Sequence, residues 1–175
     1  YIRTGMDFDV LKNNVTKFLD NTHGTSVSFI NTFNMLSLPR LKEFLQWILE
    51  LRERYSYENQ PEVVIPIPSS DGIDHPPFKR DKRQRIWFDI PILNNPAWLS
   101  IRMLAGTEWV AYMEDCIKFM ESNMQKDDYD TSFRGFKPYE ILKLKRDLAV
   151  MRQPYTSQEK FTNQKRFVQF VDELD

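Results

Sequence analysis

Apolar residues return at helical intervals in five stretches of the chain and at strand intervals in two. Over 9–20, Val10, Leu11, Val15, Phe18 and Leu19 recur near a 3.6-residue period while Lys12, Asn13, Asn14 and Lys17 fill the other face, which predicts an amphipathic helix. Asp7 or Asp9 is its N-cap, and Gly24, within Asn21-Thr22-His23-Gly24-Thr25, suits the left-handed residue that ends helices. Residues 26–34 set Val27, Phe29 and Phe33 against Ser28, Thr32 and Asn34, and so predict a strand. A second helix is expected over 38–54, with Leu38, Leu41, Phe44, Leu45, Ile48, Leu49 and the Arg52 stem turned inward, Ser37 as N-cap and Pro39 in the first turn.

Residues 56–83 change character. Pro61, Pro66, Pro68, Pro76 and Pro77 sit among Ser, Asp and Gly before a basic run, so this is read as a long excursion with a short extended piece at 62–67. The run 85–93 is apolar enough on both faces for a strand buried in a parallel sheet. Three more helices follow over 107–124, 138–152 and 157–174, the first capped by Thr107 and the second started by Pro138. Strands alternating with helices of this length imply an α/β layer with parallel strands.

The 175 residues carry 24 Lys+Arg against 25 Asp+Glu, a balance that argues against a surface devoted to nucleic-acid phosphates. With 41% hydrophobic and 14% aromatic residues and 5 Gly, the chain reads as globular, and no apolar run approaches the ~20 residues of a membrane span. One Cys and no signal peptide point to a reducing, cytoplasmic compartment.

Ligands in parallel α/β layers gather at the carboxyl ends of the strands. The polar groups placed there are Arg3, Thr4 and Asp7 after a short opening strand, Thr32 and Asn34 after the next, and Asp89, Asn94 and Asn95 after the third. Thr32 and Asn34 read equally as turn residues that bond their own backbone. Asp89 lies inside an apolar run, where a carboxylate is costly unless paired or functional, although a strand-terminal Asp can also face solvent. His23 and His75 are far apart with no second ligand at metal spacing, and Cys116 borders an apolar stripe as a packed thiol. No Gly-x-Ser-x-Gly, Gly-x-Gly-x-x-Gly or Gly-Lys-Ser/Thr phrase occurs. The basic run from Lys79 to Arg85 reads as a solvated loop.

Five phrases in order carry a resemblance: Ile2-Arg3-Thr4-Gly5-Met6-Asp7; Asn14-Val15-x-x-Phe18-Leu19; Phe29-Ile30-Asn31-Thr32-Phe33-Asn34-Met35-Leu36-Ser37-Leu38; Leu45-x-x-Ile48-Leu49-x-Leu51-Arg52; and Phe88-Asp89-Ile90-Pro91-x-Leu93. Together they resemble the barrel of radical S-adenosylmethionine enzymes with a twitch or related C-terminal domain, and the tail 167–175 resembles the helix that follows that barrel. The resemblance implies the C-terminal part of a partial (β/α)6 barrel with parallel strands over 1–125, interrupted by the 56–83 excursion, and a helical extension over 126–175. It implies a four-iron four-sulfur cluster that cleaves S-adenosylmethionine reductively to a 5′-deoxyadenosyl radical. By position, Arg3, Thr32, Asn34 and Asp89 would hold the methionine carboxylate and ribose hydroxyls, chemistry that guanidinium, hydroxyl and amide groups suit. The family's Cys-x3-Cys-x2-Cys loop is missing, and one Cys cannot supply three thiolates. The chain is therefore expected to be the later half of a longer polypeptide whose upstream part carries the cluster ligands. The competing expectations are a non-catalytic α/β interaction module that docks a partner through its Pro-rich basic loop, and a barrel piece of a different enzyme.

Overall fold

Asp7 starts the first helix by accepting hydrogen bonds from the Asp9 and Val10 amides at 2.8 and 3.2 Å. The structure, a computed structural model, describes residues 7–22, 24–65, 78–80, 82–127 and 130–173. Helix α1 spans Phe8–Asn21, and Gly24 follows it at φ 75°, the left-handed conformation expected there. Strand β1 (Val27–Ile30) leads through a 3-10 turn at Leu38–Arg40 into α2 (Leu41–Arg54). Ser37 does not cap this helix. Its hydroxyl donates to the Asn34 carbonyl and accepts from the Asn34 amide, both at 2.9 Å, and so closes the preceding turn.

Within the excursion, β2 (Val63–Ile65) and β3 (Phe78–Arg80) pair antiparallel with each other, β2 falling inside the extended piece expected at 62–67. Strand β4 (Ile86–Asp89) returns beside β1 and pairs parallel to it, in register Val27↔Ile86 through Ile30↔Asp89. Two 3-10 turns, Ala97–Leu99 and Ile101–Leu104, precede α3 (Trp109–Ser122), α4 (Pro138–Met151) and α5 (Ser157–Asp172).

The expectation of a partial (β/α)6 barrel is overturned. Among the described residues there are five α-helices and a single parallel pair, β1–β4, and the other two strands pair only with each other. Among the described residues the chain makes one βαβ unit and then runs through α3, α4 and α5 with no strand between them, so no further crossover is built. Parallel strands are present, but the layer is two strands wide. The second strand is also shorter than its apolar run, because Pro91 has no amide for the ladder and pairing resumes only at the Phe33↔Ile92 bridge.

One face of the pair is covered. Phe29 stacks edge-on against Trp47 of α2 at 4.8 Å and Phe44 at 6.3 Å, Phe44 meets Phe88 at 6.1 Å, and Phe88 meets Phe136 at 6.1 Å. Leu45, Ile48, Met113, Met120, Leu144 and Met151 continue this core, which runs across position 125. Burying each such side chain is worth about 1.5–3 kcal/mol. The opposite face of the pair carries Ser28, Ile30, Trp87 and Asp89, with Ile30 72% and Trp87 36% exposed, so β4 is not buried on both sides. Helix α2 is tied to α4 by a fully buried ion pair: Arg52 donates to Glu140 at 2.7 and 2.9 Å and also to the carbonyls of Gly135 (2.8 Å) and Ile86 (3.3 and 3.4 Å).

Candidate functional site

The parallel register brings together the strand ends that the sequence marks. Beyond the paired segments the ladder continues: the Asn31 amide donates to the Asp89 backbone carbonyl at 2.9 Å, the Phe33 amide to the Pro91 carbonyl at 2.7 Å and the Leu93 amide to the Phe33 carbonyl at 2.8 Å. Thr32 and Asn34 therefore share one edge with the residues that follow Asp89. Arg3 and Thr4 lie outside the described residues, as do His23 and His75.

The three described candidates differ in what they leave open. Asn34 is buried, and its amide is used locally, Nδ2 donating to the Thr32 carbonyl at 3.0 Å and Oδ1 accepting from the Leu36 amide at 2.9 Å. Thr32 is exposed, and its hydroxyl has no hydrogen-bond partner among the described residues. Asp89 is half-exposed and committed through one oxygen only: Oδ1 accepts from Lys143 Nζ at 2.6 Å and from the Ile90 amide at 2.9 Å. The hydrogen bond from Lys143, ahead of its charge and the Ile90 amide, holds the Asp89 carboxyl below the usual range, so it is an anion at neutral pH with Oδ2 available. Asn94 and Asn95 are exposed ahead of Pro96, and Asp7 caps α1.

The sequence places a helix at 138–152 but does not show that it completes this edge. Helix α4 lies beside β4. Lys137, just before it, sets its ammonium 4.6 Å from the Trp87 ring centroid, Lys143 reaches Asp89 while lying 5.5 Å from the Tyr139 ring, and Asp147 is buried one turn further on. The available signal was in the α4 stripe itself, where Glu140 and Asp147 share the buried face with Ile141, Leu144, Leu148 and Met151. A carboxylate at a core-facing position calls for a partner.

The basic run is not one solvated patch. Arg85 is buried and closes α1, its Nη2 donating to the Leu19 and Thr22 carbonyls at 2.9 and 2.5 Å and its Nε to Thr25 at 2.9 Å. Lys82 lies 5.0 Å from the Tyr57 ring. Cys116 is buried, and burial pushes its thiol up to about 11.

Among the described residues no three His, Cys, Asp or Glu side chains group as metal ligands, and no helix is long and apolar enough to cross a membrane. Two open depressions, of about 470 Å³ beside Gly106 and Tyr155 and about 1040 Å³ between Glu50 and Gln125, include neither Thr32, Asn34 nor Asp89. No family model matches the chain, and no curated protein or solved structure matches it.

Proposed function

We propose that this chain supplies an S-adenosylmethionine-holding wall of a radical S-adenosylmethionine enzyme. The observation that carries the reading is the parallel pairing of two phrases distant in sequence, 29–38 and 88–93, which sets Thr32 and Asp89 on one strand-end edge beside an uncovered sheet face. When bound with a reduced iron–sulfur cluster, the cofactor supplies a 5′-deoxyadenosyl radical that takes hydrogen from a substrate.

The residues suit the ligand in part. Asp89 Oδ2 is an anionic acceptor for a ribose hydroxyl, the role a strand-end carboxylate plays toward nucleotides. The Thr32 hydroxyl can donate or accept. Asn34 shapes the turn that presents Thr32, since its side chain bonds the backbone on both sides. The cluster finds no ligands here: Cys116 is the single Cys, and it is buried in the core with its thiol held protonated. A cluster would have to take its thiolates from outside these residues, and a reducing, cytoplasmic compartment fits that cluster.

Calorimetric titration of the chain with S-adenosylmethionine tests the reading. Asp89→Asn and Thr32→Val should each weaken binding, the former by about tenfold or more for a hydrogen bond to a charged group. Absence of binding by the unsubstituted chain overturns the reading, as does unchanged affinity in both variants.

A further inference from the structure

Each strand of the β1–β4 pair turns half of its backbone groups away from the other. The Val27 amide donates to the Arg85 carbonyl at 2.7 Å and the Asn31 amide to the Asp89 carbonyl at 2.9 Å, so Val27, Phe29 and Asn31 face β4. Ser28 and Ile30 then point their amides and carbonyls to the outer edge of β1. Ile86, Phe88 and Ile90 point theirs to the outer edge of β4.

The two outer edges are finished differently. On β4, the Ile86 carbonyl accepts from Gln84 Nε2 at 2.8 Å and from Arg52 at 3.3 and 3.4 Å, and the Ile90 amide donates to Asp89 Oδ1 at 2.9 Å. Side chains therefore occupy both ends of that edge, and a strand added there would have to displace the buried Arg52. On β1, the backbone groups of Ser28 and Ile30 have no hydrogen-bond partner among the described residues. Both residues are exposed, Ile30 at 72%. Natural edge strands are blunted by a charged residue or a proline, and Val27-Ser28-Phe29-Ile30 has neither.

We propose that β1 pairs edge to edge with β1 of a second copy of this chain, antiparallel across a twofold axis. The product is a four-stranded sheet in the order β4-β1-β1-β4. Three observations select this occupant. The open groups form a row of backbone donors and acceptors, which an extended segment complements and a helix does not. The segment carries no charge, so it meets its own copy without like-charge repulsion. The blunted β4 edges end on the outside of the assembly, so pairing closes at two copies instead of running on as a fibre. With Ser28 opposite Ile30 of the second copy, the two residues exchange backbone hydrogen bonds, and both copies of Ile30 lose exposed apolar surface.

Light scattering on the whole chain over a concentration series, read beside backbone amide hydrogen exchange, tests this. Mass should rise with concentration to twice that of one chain and no further. The Ser28 and Ile30 amides should exchange more slowly as it rises, whereas the Asn31 amide, already bonded to β4, is protected in the dilute chain. Ile30→Lys sets a charge on an exposed edge position and should weaken the dimer by about tenfold or more, with the circular dichroism spectrum unchanged. Ser28→Lys replaces it should that chain fail to fold. Val168→Lys, on the exposed face of α5, should leave the dimer intact. A chain that stays monomeric up to about 1 mM overturns the proposal. So does a dimer without protection at Ser28 and Ile30, or one that the edge lysine leaves intact or that Val168→Lys disrupts.

Discussion

Glu140→Gln isolates the charge of the buried ion pair while keeping its shape. Wild-type Glu140 accepts three hydrogen bonds, from Arg52 Nη1 at 2.9 Å, Arg52 Nη2 at 2.7 Å and the Lys137 amide at 2.9 Å. The amide can keep the Lys137 bond but has one acceptor oxygen for two guanidinium donors, so an uncompensated cation is left in a site 1% exposed. Breaking a buried pair from one side costs about 3–5 kcal/mol, and for a chain of this size each kcal/mol lowers Tm by about 2–4 °C. The expected result is a loss of at least about 6 °C, read by circular dichroism on heating, with the urea midpoint falling in step. The double variant Arg52→Met with Glu140→Leu should recover most of that loss, because apolar replacement of a whole buried pair is often neutral or better. A Glu140→Gln chain within about 1 kcal/mol of wild type would refute the argument, since it would mean that water already reaches Arg52.

Three more outcomes follow from the same packing. A Cβ at Gly135 would stand 2.6 Å from the Asn123 carbonyl oxygen and 2.6 Å from the Gln125 nitrogen, so Gly135→Ala should destabilise by about 1–3 kcal/mol in urea unfolding, and an unchanged midpoint would show that the backbone yields freely. The Asp147 carboxyl, raised from 3.8 to about 6, holds its proton more tightly folded than unfolded. Its ionisation therefore adds no cost below about pH 4 and destabilises increasingly between about 4 and 6, reaching an upper bound of about 3 kcal/mol above that at about 1.4 kcal/mol per unit. Asp147→Asn should remove that fall from the pH dependence of the urea midpoint, and parallel curves for the two chains would count against it. Cys116, buried and raised to about 11, should react with a thiol-specific disulfide reagent at pH 8 only as the chain opens, so its rate should rise with urea; immediate reaction in native buffer would contradict its burial.

The helices were legible because their stripes are self-contained. The expected helix at 9–20 is Phe8–Asn21, and those at 138–152 and 157–174 are Pro138–Met151 and Ser157–Asp172. Even the inward stem of Arg52 followed from the period, although its partner Glu140 did not, because nothing local reports a contact across 88 positions. The strands were legible as β and as parallel, and their number was not. A run such as 85–93 has the composition of a strand walled on both sides, whereas here its second face is open at Ile30 and Trp87. Inferring a barrel meant supplying neighbours that the composition expects and the chain does not form. Arg85 looked solvated because it ends a run of charges, and its real role depends on the carbonyls at the end of α1, which lie about sixty positions earlier.

The same asymmetry explains why the chemistry collects where it does. Alternation along β1 and β4 sends Val27, Phe29, Ile86 and Phe88 to the helices and Ser28, Ile30, Trp87 and Asp89 to the other side, so Asp89 meets α4 at the border between the covered and open faces. On the covered side of that border α4 satisfies its carboxylate completely, with Glu140 on Arg52. Asp147, buried on the same helix, accepts no hydrogen bond and has the Arg146 Nε at 3.6 Å as its ion-pair partner, while Lys143 is held by Asp89. A helix that served only packing would carry an apolar residue at 147, as it does at 144 and 151. Under the proposed reading, the ligand binds at the strand-end edge, where Asp89 Oδ2 is unspent, rather than in either open depression.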